Sequence, residues 1–260
     1  MEGIYTPSGT DLRLYQSNGY LKPIRVLTSS QCSAIANHFV SNDHPKPERW
    51  WKGGAIRDRF AFDIATSERI LHPVQTVLGP NVVLWGMQYL RREPGQEHSW
   101  HSDIETVEQS SHFASVWVGI SGTSAESGLV VVAKSHRFGQ SIQQTAFESG
   151  VSRAGISDTE VIGLARNFSD HAYIDRPEAG DGLALIFSGG LWHMSHNTSG
   201  KVRTSLLIQF STPEVVVRIP DWTRLDWPYQ FTNERAPSLI ACGSVKNTDL
   251  DLRKPPDAIS

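Results

Sequence analysis

After Gly79 the chain turns into a succession of short runs rich in β-branched and aromatic residues. These are "NVVLWGMQYL", "HFASVWVGI", "GLVVVA", "GLALIF", "TSLLIQF" and "EVVVRI", each bounded by turn-forming residues. Such runs fit a pleated, half-buried surface and are too short for core helices, so they predict strands. Helical spacing is confined to the first third. Ser29 to about Val40 opens on capping serines, and Ser67 to Leu78 places Ile70, Leu71, Val74, Val77 and Leu78 on one face before "GP" stops it. The pattern predicts one domain of 260 residues, with a helical layer over about 1–80 and an antiparallel β core over about 81–220.

Composition excludes several classes of partner. The net charge is -3, with 24 basic and 27 acidic residues intermixed, so no basic stripe offers itself to nucleic acid and no polybasic segment to an anionic membrane. No apolar run is long enough to span a bilayer, and the start "MEGIYTPSGTDLRLY" lacks the form of a secretion signal. Cys32 and Cys242 are far apart and read as free thiols of a reducing compartment. The expectation is a soluble cytoplasmic protein acting on a small molecule. Gln140 to about Glu178 has weak periodicity and is expected to be a lid, or else a poorly packed insertion. The polar, Pro-containing tail over 246–260 is expected to lack order.

The stretch "SWHSDIET" supplies the first chemistry. In an extended strand, positions i and i+2 share a face, so His101 and Asp103 can present an imidazole and a carboxylate to one point. Alone, such a pair is more often a surface or hydrogen-bonded pair than a ligand set. A facial non-haem iron site needs a second histidine. "SGGLWHMSHNTSG" offers His193 and His196. His193 follows a glycine turn and the apolar Leu191 and Trp192, whereas the odd offset puts His196 on the opposite face, so His193 is chosen. The same parity turns His98 away from His101 and Asp103. His136 reads as a loop histidine with a structural hydrogen bond. Arg203 enters the apolar run "RTSLLIQF". An arginine there is costly unless a carboxylate pairs with it, although an edge position facing water is the commoner explanation for an isolated case. Behind an iron histidine, it can hold the far carboxylate of a dicarboxylic co-substrate.

In order and spacing, "WHSD", "SVWVGI", "SGLVVVAKSH", "GDGLALIF" and "HMSHNTSGKVR" resemble the phytanoyl-CoA dioxygenase family, and "HSDIET" is similar to the same segment of the ectoine hydroxylases within it. The resemblance covers about Leu78 to Thr212. It implies a mainly β fold with flanking helices, a double-stranded β-helix (jelly-roll, cupin-like) barrel. It also implies an iron(II)- and 2-oxoglutarate-dependent dioxygenase using O2, with His101, Asp103 and His193 on the metal and Arg203 on the co-substrate. Trp117 and Gln88 match positions near the co-substrate, with core packing the alternative for each. Two departures stand out: Glu93 replaces the lysine that often precedes the proline of "KPG", and the "PGSH" turn becomes Ala133-Lys134-Ser135-His136.

The implied reaction releases succinate and CO2 while hydroxylating, desaturating, epoxidising or cyclising a metabolite, with specialised metabolism the expected setting. Halogenation is disfavoured because Asp103 keeps the ligand carboxylate. Two rivals stay open: a zinc hydrolase on the same residues, with Glu105 as its nearby base, and a non-catalytic β-barrel binding protein. Trp50, Trp51, Trp222, Trp227 and Tyr229 suggest a ring-bearing or apolar substrate, or else packing over the barrel.

Overall fold

The computed structural model describes residues 4–41, 50–103, 112–221, 223–224, 227–246 and 249–257. Trp222 and Glu105 therefore lie outside the described residues. The first third is helical: α1 Gly9–Asn18, α2 Ser29–Ser41, α3 Gly54–Arg57, α4 Arg59–Ala65 and α5 Glu68–Leu78. The two helices expected from periodicity are α2 and α5. α1 is closed by a capping box between Ser8 and Asp11, and by Gly19 in the left-handed region at φ 91°.

Two sheets follow. The larger has the order β1 (Ile24–Arg25), β7 (Leu183–Ser188), β4 (Phe113–Ser121), β9 (Arg203–Ser211), β2 (Val82–Arg92), β12 (Ser238–Cys242), β13 (Leu252–Arg253). The smaller runs β3 (Glu97–His101), β8 (His193–His196), β5 (Leu129–Ala133), β6 (Tyr173–Asp175). β10 (Arg218–Pro220) and β11 (Phe231–Arg235) form a separate pair. Pairing is antiparallel except between β12 and β13.

Side-chain alternation decides what each face does. On β9, Leu206, Ile208 and Phe210 point outward and pack with Val116 and Val118 of β4 against the helical layer. Trp117, Leu185 and Phe187 point the other way and meet Leu129, Val131 and Ala133 of the small sheet. The two sheets thus face one another across a shared interior, the arrangement of a double-stranded β-helix. At roughly 1.5–3 kcal/mol for each fully buried large apolar side chain, these two clusters hold the layers together.

Three expectations need revision. The segment over 140–178 contains α6 (Ile142–Glu148), α7 (Asp158–Arg166) and β6, and it buries Ile142, Val161 and Ala165 against the outer face of the small sheet. It is therefore not a poorly packed insertion. The polar tail contributes β13 beside β12, and Arg59 Nη1 donates to Pro256 O at 3.3 Å. Of "EVVVRI", only the last residues enter a strand, β10, while Val215 and Val217 pack with Trp50, Trp85 and Phe113.

Candidate metal centre

The dipeptide Trp-His occurs at the head of the site twice, and it works the same way each time. Trp100 and Trp192 point outward into the apolar cluster beneath α6 and α7 and are 1% and 0% exposed. Trp192 is fixed further: its backbone N–H donates to Ser135 Oγ at 2.7 Å and its Nε1 to Gln140 O at 3.0 Å. With each tryptophan locked outward, strand alternation sends His101 and His193 inward. They are direct cross-strand partners on β3 and β8, with ring centroids 4.1 Å apart.

Asp103 lies just past the end of β3 rather than within it. Its N–H donates to Gly189 O at 2.8 Å, which turns the carboxylate toward the two imidazoles. Asp103 Oδ1 is 3.6 Å from His101 Nε2 and 3.8 Å from His193 Nε2. One donor atom from each residue falls within 4.8 Å of the others, the one His/Cys/Asp/Glu cluster of this kind among the described residues.

The donor set suits a divalent metal. His101 Nδ1 is 2.9 Å from Ser99 O and His193 Nδ1 is 2.8 Å from Leu191 O. A carbonyl only accepts, so each Nδ1 carries the proton and each Nε2 lone pair faces the cluster. Burial holds His101 well below the usual imidazole range, aided by His193 and His98, which keeps it neutral and able to ligate. Ser115 Oγ donates to Asp103 Oδ2 at 2.5 Å, so Oδ1 is the oxygen left able to ligate a metal.

His98 departs from expectation. β3 and β8 slip register between His98 and His101, and the irregularity brings the His98 ring to 4.1 Å from His101. Parity fails because it assumes an unbroken ladder. His98 is nonetheless outside the three-residue cluster, and burial lowers its pKa to about 4. His196 sits on the opposite face from His193, as expected, and His136 Nε2 bonds Gln16 O at 3.1 Å.

Arg203 is 1% exposed and stands at the start of β9 on the inner face. Its Nη1 donates to Ser205 Oγ at 2.8 Å, while Nε and Nη2 have no partner among the described residues. Its guanidinium carbon lies 5.4 Å from the Trp117 ring centroid, and burial together with Arg92 lowers its pKa to about 10, so it stays charged at neutral pH. Leu207 pairs with Gln88 on one side and Trp117 on the other, which puts Gln88 on the same inner wall. Trp50 is structural: it is buried, and its Nε1 donates to Trp85 O at 3.0 Å. Trp227 packs edge-on to Tyr229 at 5.4 Å and, with Phe147 and Arg153, lines a groove that reaches Ser99.

The chain belongs to the phytanoyl-CoA dioxygenase (PhyH) family, whose pattern it matches over residues 15–205. The enzymes of this family use iron(II), 2-oxoglutarate and O2, and this chain is an oxidoreductase of that kind. Among solved structures, a nickel complex of the non-heme monooxygenase ThoJ is 18% identical with a TM-score of 0.65, covering 95% of this chain and 90% of that one. CytC3 with Fe(II) and alpha-ketoglutarate is 12% identical with a TM-score of 0.63, covering 98% and 100%. The non-heme alpha ketoglutarate dependent carbocyclase SnoK from nogalamycin biosynthesis is 16% identical with a TM-score of 0.59, covering 84% and 90%. At these identities the likeness is one of fold. No curated protein matches the chain in sequence. No helix among the described residues is long and apolar enough to cross a membrane, and both cysteines are free.

Proposed function

We propose that the chain oxidises a small-molecule metabolite, most simply by hydroxylation, with His101, Asp103 and His193 holding iron(II) and Arg203 holding 2-oxoglutarate. The observation that carries this reading is the pairing of a buried His/Asp/His cluster with a buried guanidinium whose Nε and Nη2 have no partner among the described residues. A zinc hydrolase gives such an arginine no task. Iron held by His101, Asp103 and His193 would, together with the keto acid and O2, supply the oxidant, the keto acid being converted to succinate and CO2.

The chain's own residues position and shield. Arg203 presents two donor nitrogens, Nε and Nη2, to the distal carboxylate, with Trp117 bounding one face of the guanidinium and Gln88 on the adjacent strand of the same wall. Ser115 holds Asp103 so that one oxygen faces the metal. Phe187 lies 4.8 Å from the His193 ring and closes the interior to water on that side. The segment over 140–178 acts as a cover at the groove beside β3. A role in specialised metabolism is supported by the resemblance in fold to SnoK, described from nogalamycin biosynthesis.

Anaerobic addition of 2-oxoglutarate to the iron-loaded protein, followed by the metal-to-keto-acid charge-transfer absorption, tests the assignment. An absorption band that titrates with 2-oxoglutarate supports it. Its absence, or catalytic hydrolysis without any keto acid, sinks it.

A further inference from the structure

Ser102 separates His101 from Asp103, two of the three proposed ligands, and its backbone is gripped on both sides by one side chain. The Ser102 N–H donates to Gln143 Oε1 at 2.9 Å, and the Ser102 carbonyl accepts from Gln143 Nε2 at 2.8 Å. That N–H belongs to the peptide unit leading from His101, and that carbonyl to the one leading to Asp103. Each unit is planar, so the soft torsions at Ser102 set the angle at which the two ligand side chains approach each other. Gln143 clamps the planes on either side of those torsions. Ser102 and Gln143 are 0% and 3% exposed.

The clamp stands where the sheet gives out. β3 is the edge strand of the small sheet, and its ladder with β8 ends at the pair formed by His101 and His193. Ser102 comes next, and a buried N–H and carbonyl beyond a ladder require partners from elsewhere. A glutamine amide carries a donor and an acceptor side by side, the same groups that a neighbouring strand would offer. Three successive residues are thus held by three parts of the fold: His101 by β8, Ser102 by α6, and Asp103 by Gly189 and Ser115.

Docking of α6 does not account for the glutamine. Ile142 and Ala146 are fully buried, and Ile142 packs in the cluster with Val130, Val132, Trp100 and Trp192, which seats the helix by apolar contact. The polar side chains that follow bond within the helix and its cap: Thr145 Oγ1 donates to Ser141 O at 2.9 Å, and Gln144 Nε2 to Glu148 Oε1 at 2.8 Å. Gln143 turns instead toward the ligand strand. The same segment reaches that strand again through Arg153 Nη1, which donates to Trp100 O at 3.0 Å, and reaches the approach to β8 where Gln140 O accepts from Trp192 Nε1.

We infer that Gln143 is a positioning residue of the metal centre: its amide fixes the two peptide units of Ser102 so that His101 and Asp103 converge on one ion. The segment over 140–178 is then part of the ligand scaffold as well as a cover. The inference rests on the reading above for the presence of the ion, and not on the reaction performed there.

Cobalt(II) is the probe, because its visible ligand-field bands report the arrangement of the ligands without oxygen, keto acid or turnover. Affinity is measured by competition with a chelator, and the spectrum is recorded at saturating cobalt(II), for wild type, Gln143→Met, Gln143→Asn and Gln144→Met. Gln143→Met keeps the length and loses both hydrogen bonds, so it should bind about 10- to 100-fold more weakly and show altered bands. Gln143→Asn keeps the amide but is one methylene too short to span both peptide groups. It should also show altered bands, and it carries the test if Gln143→Met does not fold. Gln144→Met disturbs only the helix surface and should match wild type in both measurements. A lowered melting temperature in Gln143→Met with wild-type affinity and bands would leave Gln143 a tether alone and overturn the inference, as would wild-type bands in Gln143→Asn or a Gln144→Met that changes the spectrum equally. A wild type that binds no cobalt(II) refutes the metal centre itself. A missing charge-transfer band with iron(II) and 2-oxoglutarate refutes the dioxygenase reading and leaves the role of Gln143 standing.

Discussion

Ser115 on the large sheet donates its hydroxyl to the Asp103 carboxylate at the edge of the small one, and the two are 0% and 2% exposed. The bond occupies one carboxylate oxygen and orients the other. Ser115→Ala should weaken metal binding about 10- to 100-fold, the usual effect of removing a group that orients a metal ligand, and should lower stability by about 1 kcal/mol. Competition with a chelator of known affinity measures the first, and denaturant unfolding of the metal-free protein measures the second.

The two neighbouring histidines of β8 should behave oppositely. His193→Ala should lose iron, whereas His196→Ala, on the other face, should retain close to one equivalent. His98→Ala should also retain iron despite its contact with His101. Metal analysis after gel filtration decides. Iron lost in His196→Ala and kept in His193→Ala would reverse the ligand assignment.

Arg203 and Arg92 are cross-strand partners, so a carboxylate arriving at Arg203 meets a strongly positive, desolvated place. Arg203→Ala should cost roughly 2–5 kcal/mol of 2-oxoglutarate binding, or about thirtyfold to several thousandfold in affinity. Arg203→Lys should recover only part, since an ammonium cannot make the two-pronged bond. The charge-transfer titration reads both, and iron binding should be unaffected in each.

Gly189 has a packing role next to the ligands. A Cβ there would fall 1.5 Å from Phe113 Cε2, so Gly189→Ala must displace that ring or the turn that receives the Asp103 N–H. Destabilisation of about 1–3 kcal/mol is expected, together with weaker metal binding. Thermal denaturation with and without metal would show whether the two losses occur together.

If the segment over 140–178 covers the site, trypsin should cut it between α6 and α7 at Arg153, which donates to Trp100 O at 3.0 Å and lines the groove beside Ser99. Iron and 2-oxoglutarate together should slow that cut. Identical rates with and without them would count against a covering role.

Sequence patterning disclosed the sheets because short, near-continuous apolar runs such as "SVWVGI" are what a strand buried on both faces requires. The ligand cluster was legible for a related reason: the tryptophans before His101 and His193 announce which way the strand turns. Other features left weaker traces. The capping box of α7, Ser157 with Glu160, is visible as S-x-x-E, but the helix it opens has only nine residues, too few to show a period. The slip in β3 that brings His98 beside His101 depends on pairing with β8, which no local pattern encodes. Ser115 lay two positions before Trp117, on the same face, and that parity could have identified it. The burial of Lys52 had no such signal. A lysine after two tryptophans reads the same whether its side chain is exposed or packed, and only the packing of "WWKGG" against β2 settles which.

The proposed metal ligands His101 and His193 belong to the small sheet and Arg203 to the large one. A keto acid bound as proposed would therefore act as a strut between two layers otherwise joined mainly by side-chain packing. Its binding energy would oppose their separation, and at a concentration one hundred times its dissociation constant this amounts to about 2.7 kcal/mol. The co-substrate is then also a thermodynamic clamp on the fold, whose resistance to unfolding would follow the supply of the keto acid it consumes.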